Sequence, residues 1–228
     1  MNKCRFIPVA VILAALLLYG CGKPTPPLDE IRAALRGVPT YSVVLSDIKE
    51  EGNFFKDHFH KYRIIKEAYT TETAWLEVSK DHFLRNLSFL GMTIFVKKDG
   101  KETGAVGPPG YEYVNNHRYG SWHHDRSGQS FWVFYGQYRL MSDLLGPGPI
   151  YRSHYNTYSS YRSTNRPYYG PGNRYGTNGS FTKRQKPNFY SRRTSRDLVK
   201  RASFKDRVNQ RVGRSRTNVR GRSGRAGK

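Results

Sequence analysis

Residues 92–106 read MTIFVKKDGKETGAV. Asp99-Gly100 separates two runs of extended-chain formers. That pair suits the two-residue turn of a β-hairpin, where both central residues take positive φ. The stretch therefore predicts two antiparallel strands, and it sets the expectation for the whole fold.

Upstream of the hairpin, LDEIRAALRG predicts a short helix. Leu28, Ile31 and Leu35 fall at helical spacing, acids fill the first turn, and Gly37 can close the end. TYSVVLSDI and HFHKYRIIKE predict two strands around the turn EEGNFF, and WLEVS a third. KDHFLRNLSFLG predicts a helix with Phe83, Leu84, Leu87 and Leu90 on one side and Gly91 as its cap. Downstream, YGSWHHDRSGQSFWVFYG predicts a second hairpin about Ser127-Gly128. Its FWVFY strand is apolar on both faces, which places it in the middle of a sheet. GQYRLMSDLLG predicts a closing helix. The expected class is α+β: a small, mainly antiparallel sheet with two or three helices, followed by a disordered basic tail.

Charge divides the 228-residue chain, whose formal net charge is +22. Residues 146–228 hold 21 Lys and Arg against only Asp197 and Asp206, a formal +19. Residues 1–145 hold the other 18 against 15 acids, a formal +3. A balanced, apolar-clustered half is expected to fold, and a basic, aliphatic-poor half to stay disordered. GPGP places the boundary near Gly146. The expected domain spans 28–145. A Tyr/Arg/Gly/Ser low-complexity linker spans 146–182, where Arg over Tyr rings makes it a sticky linker or a plain spacer. A basic tail spans 183–228. Within that tail, Leu198, Ala202, Val208 and Val212 trace a weak helical pattern of the basic amphipathic kind that lies on anionic surfaces.

No HExxH, CxxC, G-x-S-x-G, P-loop or dinucleotide glycine pattern is present. Glu50, Glu51 and Glu72 read as solvated surface charges. His58 and His60, at i and i+2, share one face of a strand, His123 and His124 are adjacent, and His82 lies near Asp81. Zinc needs three or four converging ligands. His58, His60, His123 and His124 are the metal candidates, while hydrogen-bonded or exposed histidines are the simpler reading. Trp75, Trp122 and Trp132, with Phe131, Phe134 and Tyr135, suit either a core or an aromatic groove for a glycan or peptide. Core is favoured for most, with Trp122 and Tyr111 expected to be exposed.

The N-terminus, MNKCRFIPVAVILAALLLYGCGKP, has Lys3 and Arg5 before an apolar run from Phe6 to Leu18. That run is short of the roughly 20 residues a membrane span needs. It matches a secretory signal peptide over residues 1–20. Leu18-Tyr19-Gly20-Cys21 resembles the lipobox of bacterial lipoproteins, in which the signal is cut before an invariant cysteine that carries diacylglycerol and usually an N-acyl chain. Tyr19 is bulkier than the family's usual residue. The resemblance implies lipidation at Cys21, a membrane partner and a bacterial envelope location. In a Gram-negative host, Gly22 in place of Asp implies the outer membrane. Residues 21–27 would be a stiff tether. Cys4 would leave with the signal, so no intramolecular disulfide is possible afterwards. PPGYEYVNNHRYGSWHHDRSGQSFWVFYGQY, Pro108 to Tyr138, is similar in aromatic and turn density to small bacterial lipoproteins of unknown function.

The expected function is non-enzymatic and needs no cofactor. A lipid-anchored envelope protein would bind an anionic envelope polymer (lipopolysaccharide, acidic phospholipid or peptidoglycan) through counterion release. Arg192, Arg193, Arg196, Lys200, Arg201, Arg214, Arg216, Arg220, Arg222 and Arg225 would carry that charge. The alternatives are nucleic-acid binding through the same Arg/Gly-rich tail, and a histidine-based metal-dependent enzyme.

Overall fold

A computed structural model of the chain describes residues 26–66, 69–145 and 148–216, with residues 212–216 as backbone alone. Cys21 and the segment expected to be a signal peptide lie outside the described residues. The fold is α+β, with antiparallel pairing throughout.

The first sheet is built from β1 (Tyr41–Glu51), β2 (Asp57–Lys66), β3 (Tyr69–Glu72), β4 (Leu76–Val78), β5 (Thr93–Lys98) and β6 (Lys101–Thr103). Its order is β3-β2-β1-β5-β6, with β4 also pairing along β2. The β5–β6 turn forms at Asp99 and Gly100, with φ of 50° and 77°. Both angles are positive, as that hairpin turn requires. Two helices, α1 (Pro27–Ala34) and α2 (Lys80–Asn86), accompany this sheet. Both end before the glycines expected to cap them. α1 stops at Leu35 rather than Gly37, and α2 at Leu87 rather than Gly91. Ser79 starts α2 by accepting a hydrogen bond from the His82 amide, as a good N-cap does.

One irregularity shapes the core. The β1–β2 register shifts between Leu45 and Asp47, so Ser46 is an extra residue and inverts the alternation. Tyr41, Val43 and Leu45 face the first core on odd positions, and Ile48 rejoins it on an even one. Ile31, Leu35, Val78, Phe83, Leu90 and Phe95 complete that core.

The second sheet is three-stranded: β7 (Gly120–His124), β8 (Ser130–Phe134) and β9 (Ile150–Tyr151), with β8 central. The FWVFY strand is thus in the middle, but of this small sheet, and Val133 on its outer face is exposed. α3 (Arg139–Leu145) follows. The second core is aromatic. Tyr111, Tyr113, Tyr119, Trp132, Phe134, Tyr138, Tyr158 and Tyr168 pack with Met141 and Ile150. The rings meet edge to face: Tyr113–Tyr119 at 5.1 Å and Tyr119–Tyr138 at 5.0 Å. That geometry suits the ring quadrupoles. Tyr111, expected to be exposed, is buried, and Trp122 is half-buried.

The strand and helices beyond Gly146 correct the boundary expected there. The low-complexity linker expected over 146–182 is folded from residue 150 on. β9 joins the second sheet, and α4 (Arg152–Ser163) buries Tyr158 in the aromatic core, with Tyr155 and Tyr161 packed against it. The Tyr168 amide donates to the Val106 carbonyl at 3.0 Å, and the Thr177 amide to the Ser88 carbonyl at 3.1 Å. α5 (Ser180–Gln185) then leads into α6 (Pro187–Arg216). The segment is a strap across both cores, sustained by tyrosine rings where aliphatic residues are missing. Of the basic tail expected from residue 183, Pro187–Arg216 forms one helix, and residues 217–228 lie outside the described residues.

Candidate functional site

α6 carries the most concentrated charge among the described residues. Its start is fastened to the first sheet. The Lys186 ammonium reaches the Asp47 carboxylate at 2.5 Å and the Ser46 carbonyl at 2.9 Å. Phe189 packs against the first core, and the Arg196 guanidinium meets Glu50 at 3.1 Å. From Thr194 to Arg211 every residue is exposed. The helix therefore keeps touching the body as far as Arg196 and Lys200, and beyond them it stands exposed to Arg211.

Arg196, Lys200, Arg207 and Arg211 recur at spacings of four, seven and four. At about 100° per residue they form one basic stripe. Leu198 and Ala202 fall on the opposite half, which Arg201 and Lys205 break, and Val208 lies at its edge. Leu198, Val199, Phe204 and Val208 are all exposed. Phe204 and Val199 flank the basic stripe, and Arg201 and Lys205 interrupt the Leu198 side, so cations run round most of the helix and no continuous apolar face forms. No helix among the described residues is long and apolar enough to cross a membrane.

The attached part of α6 roofs a cleft of about 260 Å³. Ile48, Phe83, Leu84, Leu87 and Phe189 give it an apolar side, and Arg192, Arg193, Arg196 and Lys200 a cationic one, with Glu50 and Asp197 among them. Four of the expected polyanion-binding residues thus converge on one cleft. Arg201 lies farther along the exposed helix, and Arg214 and Arg216 on its last turns. Arg220, Arg222 and Arg225 lie outside the described residues, as does Cys21.

The metal candidates are separated. His58 and His60 face the first core from β2, while His123 and His124 are exposed on β7 in the second sheet. His123 bonds Ser121 and His124 bonds Ser130, each at 3.0 Å. Among the described residues no three His, Cys, Asp or Glu side chains form a metal-binding group.

His82, on α2, completes a different arrangement. A hydrogen bond of 2.9 Å joins His60 Nδ1 to Tyr62 Oη, and Tyr62 Oη lies 3.3 Å from His82 Nε2. Burial, with smaller contributions from His82 and His58, holds His60 down at about 3. Burial also pushes Tyr62 up and His82 down. All three are thus neutral at pH 7. They form a polar thread through an apolar core, ending at His60 Nε2, which is buried without a hydrogen-bond partner. The i, i+2, i+4 spacing of His58, His60 and Tyr62 on β2 is visible in the sequence. The partnership with His82 requires α2 to be folded onto the sheet.

No protein-family model, curated protein or solved structure gives a significant match to this chain.

Proposed function

We propose that this protein is a lipid-anchored component of the bacterial envelope that binds an anionic surface or polymer through α6. The observation that carries the reading is the exposed basic stripe from Arg196 to Arg211 on a helix whose root is fastened to the folded body. A fastened root fixes the helix backbone, so only the side chains remain to be ordered on binding. Lipopolysaccharide phosphates, acidic phospholipid headgroups and peptidoglycan carboxylates are the polyanions of that compartment. Anchoring through acylated Cys21 raises the effective concentration of the helix at the surface.

The test is a salt titration of binding to lipopolysaccharide, cell-wall sacculi and phosphatidylglycerol vesicles. The variant carries Lys200→Gln, Arg201→Gln, Arg207→Gln and Arg211→Gln, all at exposed positions. The parent is expected to bind with steep salt dependence. The variant's slope of log K against log salt falls by roughly one for each phosphate contact removed. Equal binding by parent and variant would reject α6 as the site. The anchor is tested by intact mass and fractionation of wild type beside Cys21→Ala. An unprocessed, soluble wild-type chain would reject it and turn attention to the nucleic-acid reading, which uses the same helix cations.

A further inference from the structure

The tip of the β1–β2 hairpin shows two large apolar side chains side by side in water. Phe54 is 98% exposed and Phe55 90% exposed. Isolated exposed apolar residues are ordinary on protein surfaces, but an adjacent aromatic pair at a protruding tip is not. No core requires them there, because the β1–β2 ladder ends at Glu51–Asp57.

The tip is presented by a defined turn. Gly52 has φ of 95°, and a Cβ at that position would lie 2.0 Å from the Phe55 carbonyl oxygen. Only glycine allows the chain to close here.

The charge beside the tip is arranged around Glu50. Lys56 reaches Glu50 at 3.5 Å and Arg196 reaches it at 3.1 Å. Those two contacts place α6 alongside the hairpin end. Glu51, Asp57 and Asp197 are the other acids of this corner, and Lys49 pairs with Glu51 at 2.6 Å. Beyond them α6 contributes Lys200, Arg201, Lys205, Arg207 and Arg211 with a single further acid, Asp206. The net sign toward the exposed end of α6 is strongly positive.

We propose that Phe54 and Phe55 form a finger that inserts into the interfacial layer of an anionic bilayer while α6 holds the headgroups. The inference rests on the anionic-surface reading of α6 and narrows its ligand to acidic phospholipid. Phenyl rings on a convex tip carry no hydrogen-bond group for a glycan or a phosphate backbone and form no groove to enclose one. A bilayer interface takes apolar side chains at shallow depth and rewards nearby cations.

The experiment uses the full chain with its native N-terminus, reconstituted into vesicles of phosphatidylglycerol and phosphatidylethanolamine. A Phe54→Trp variant adds an indole at the tip, read as the difference from the parent. The added emission is expected to shift to the blue and to be largely lost when the acyl chains are brominated. It should recover in phosphatidylcholine vesicles and at high salt. Gly52→Ala in the same background is expected to reduce the quenching. An added indole that emits as in water and ignores brominated chains would overturn the finger. Quenching of equal strength in phosphatidylcholine would overturn the anionic requirement. Neither failure touches the α6 reading, which is scored separately by the salt slope of the Lys200, Arg201, Arg207 and Arg211 variant on sacculi and lipopolysaccharide.

Discussion

The ring of Tyr158 lies against the backbone of Gly107. A Cβ at residue 107 would sit 2.7 Å from its Cε2 atom and 3.3 Å from its Cδ2 atom. This contact locks α4 onto a part of the body far from it along the chain. Gly107→Ala is expected to destabilise by about 1–3 kcal/mol through overpacking. Tyr158→Ala should cost about 3–5 kcal/mol, the usual range for an aromatic lost from a core. Thermal unfolding of both variants checks this. A Tyr158→Ala protein as stable as wild type would mean that the strap is not part of the cooperative unit.

Acid should weaken the fold through His60. Burial holds its folded pKa at about 3 against an ordinary 6.5. Between those values the unfolded chain binds a proton that the folded chain refuses. Stability therefore rises with pH through that window and is lost as pH falls from about 6.5 toward 3. His82, also lowered by burial, acts in the same direction. His60→Leu is expected to flatten this acid limb by a few kcal/mol on the order of the shift. It leaves pH 7 stability little changed, because it also removes the unpartnered Nε2. Urea midpoints measured between pH 4 and 7 would decide; an unchanged slope would show that His60 is not the proton-coupled group.

Glu112 works in the opposite sense. It is fully buried, 3.4 Å from the Thr93 hydroxyl on β5, and burial raises its pKa. Above the ordinary carboxylate range the unfolded chain gives up a proton that the folded chain keeps. Stability from this group is therefore lost as pH rises toward its folded pKa. Glu112→Gln keeps the shape and removes the ionisation. It is expected to raise the melting midpoint by about 2–4 °C at pH 8 and to change little at pH 4. A lower midpoint at pH 8 would show that the carboxylate is charged and paired.

The root of α6 and its outer half should separate cleanly on truncation. A chain ending after Lys200 keeps Lys186, Phe189 and Arg196 and their partners. It should unfold within about 0.5 kcal/mol of wild type, as exposed segments usually allow. A chain ending after Gln185 loses them all. It should be weaker by about 2–3 kcal/mol, most of it from Phe189, since half-exposed ion pairs contribute roughly 1 kcal/mol or less. Similar loss from both truncations would contradict the exposed state of the outer half.

Local signals are legible in the sequence where one short stretch carries its own geometry. Asp99-Gly100, the strands flanking it, the Ser127-Gly128 hairpin and the basic helical pattern around Leu198 are of this kind. Helix ends are less legible. Gly37 and Gly91 look like caps, but the helices end earlier, at Leu35 and Leu87. The strap escapes a reading that weighs composition by aliphatic residues. Tyr151, Tyr155, Tyr158 and Tyr161, spaced four, three and three apart, are nonetheless a helical stripe in plain view.

By itself the sequence determined the α+β class, the antiparallel hairpins, the charge asymmetry and the lipobox-like pattern around Cys21. These follow from neighbours along the chain: turn angles, alternation and composition. Only the tertiary structure decided that a tyrosine-rich segment folds back over two cores. It also decided that His82 meets Tyr62 and that Arg192, Arg193, Arg196 and Lys200 share one cleft. Those pairings depend on which surfaces remain to be buried once the sheets have formed. Here tyrosine rings supply the buried area, and their hydroxyls leave a composition that looks polar in one dimension.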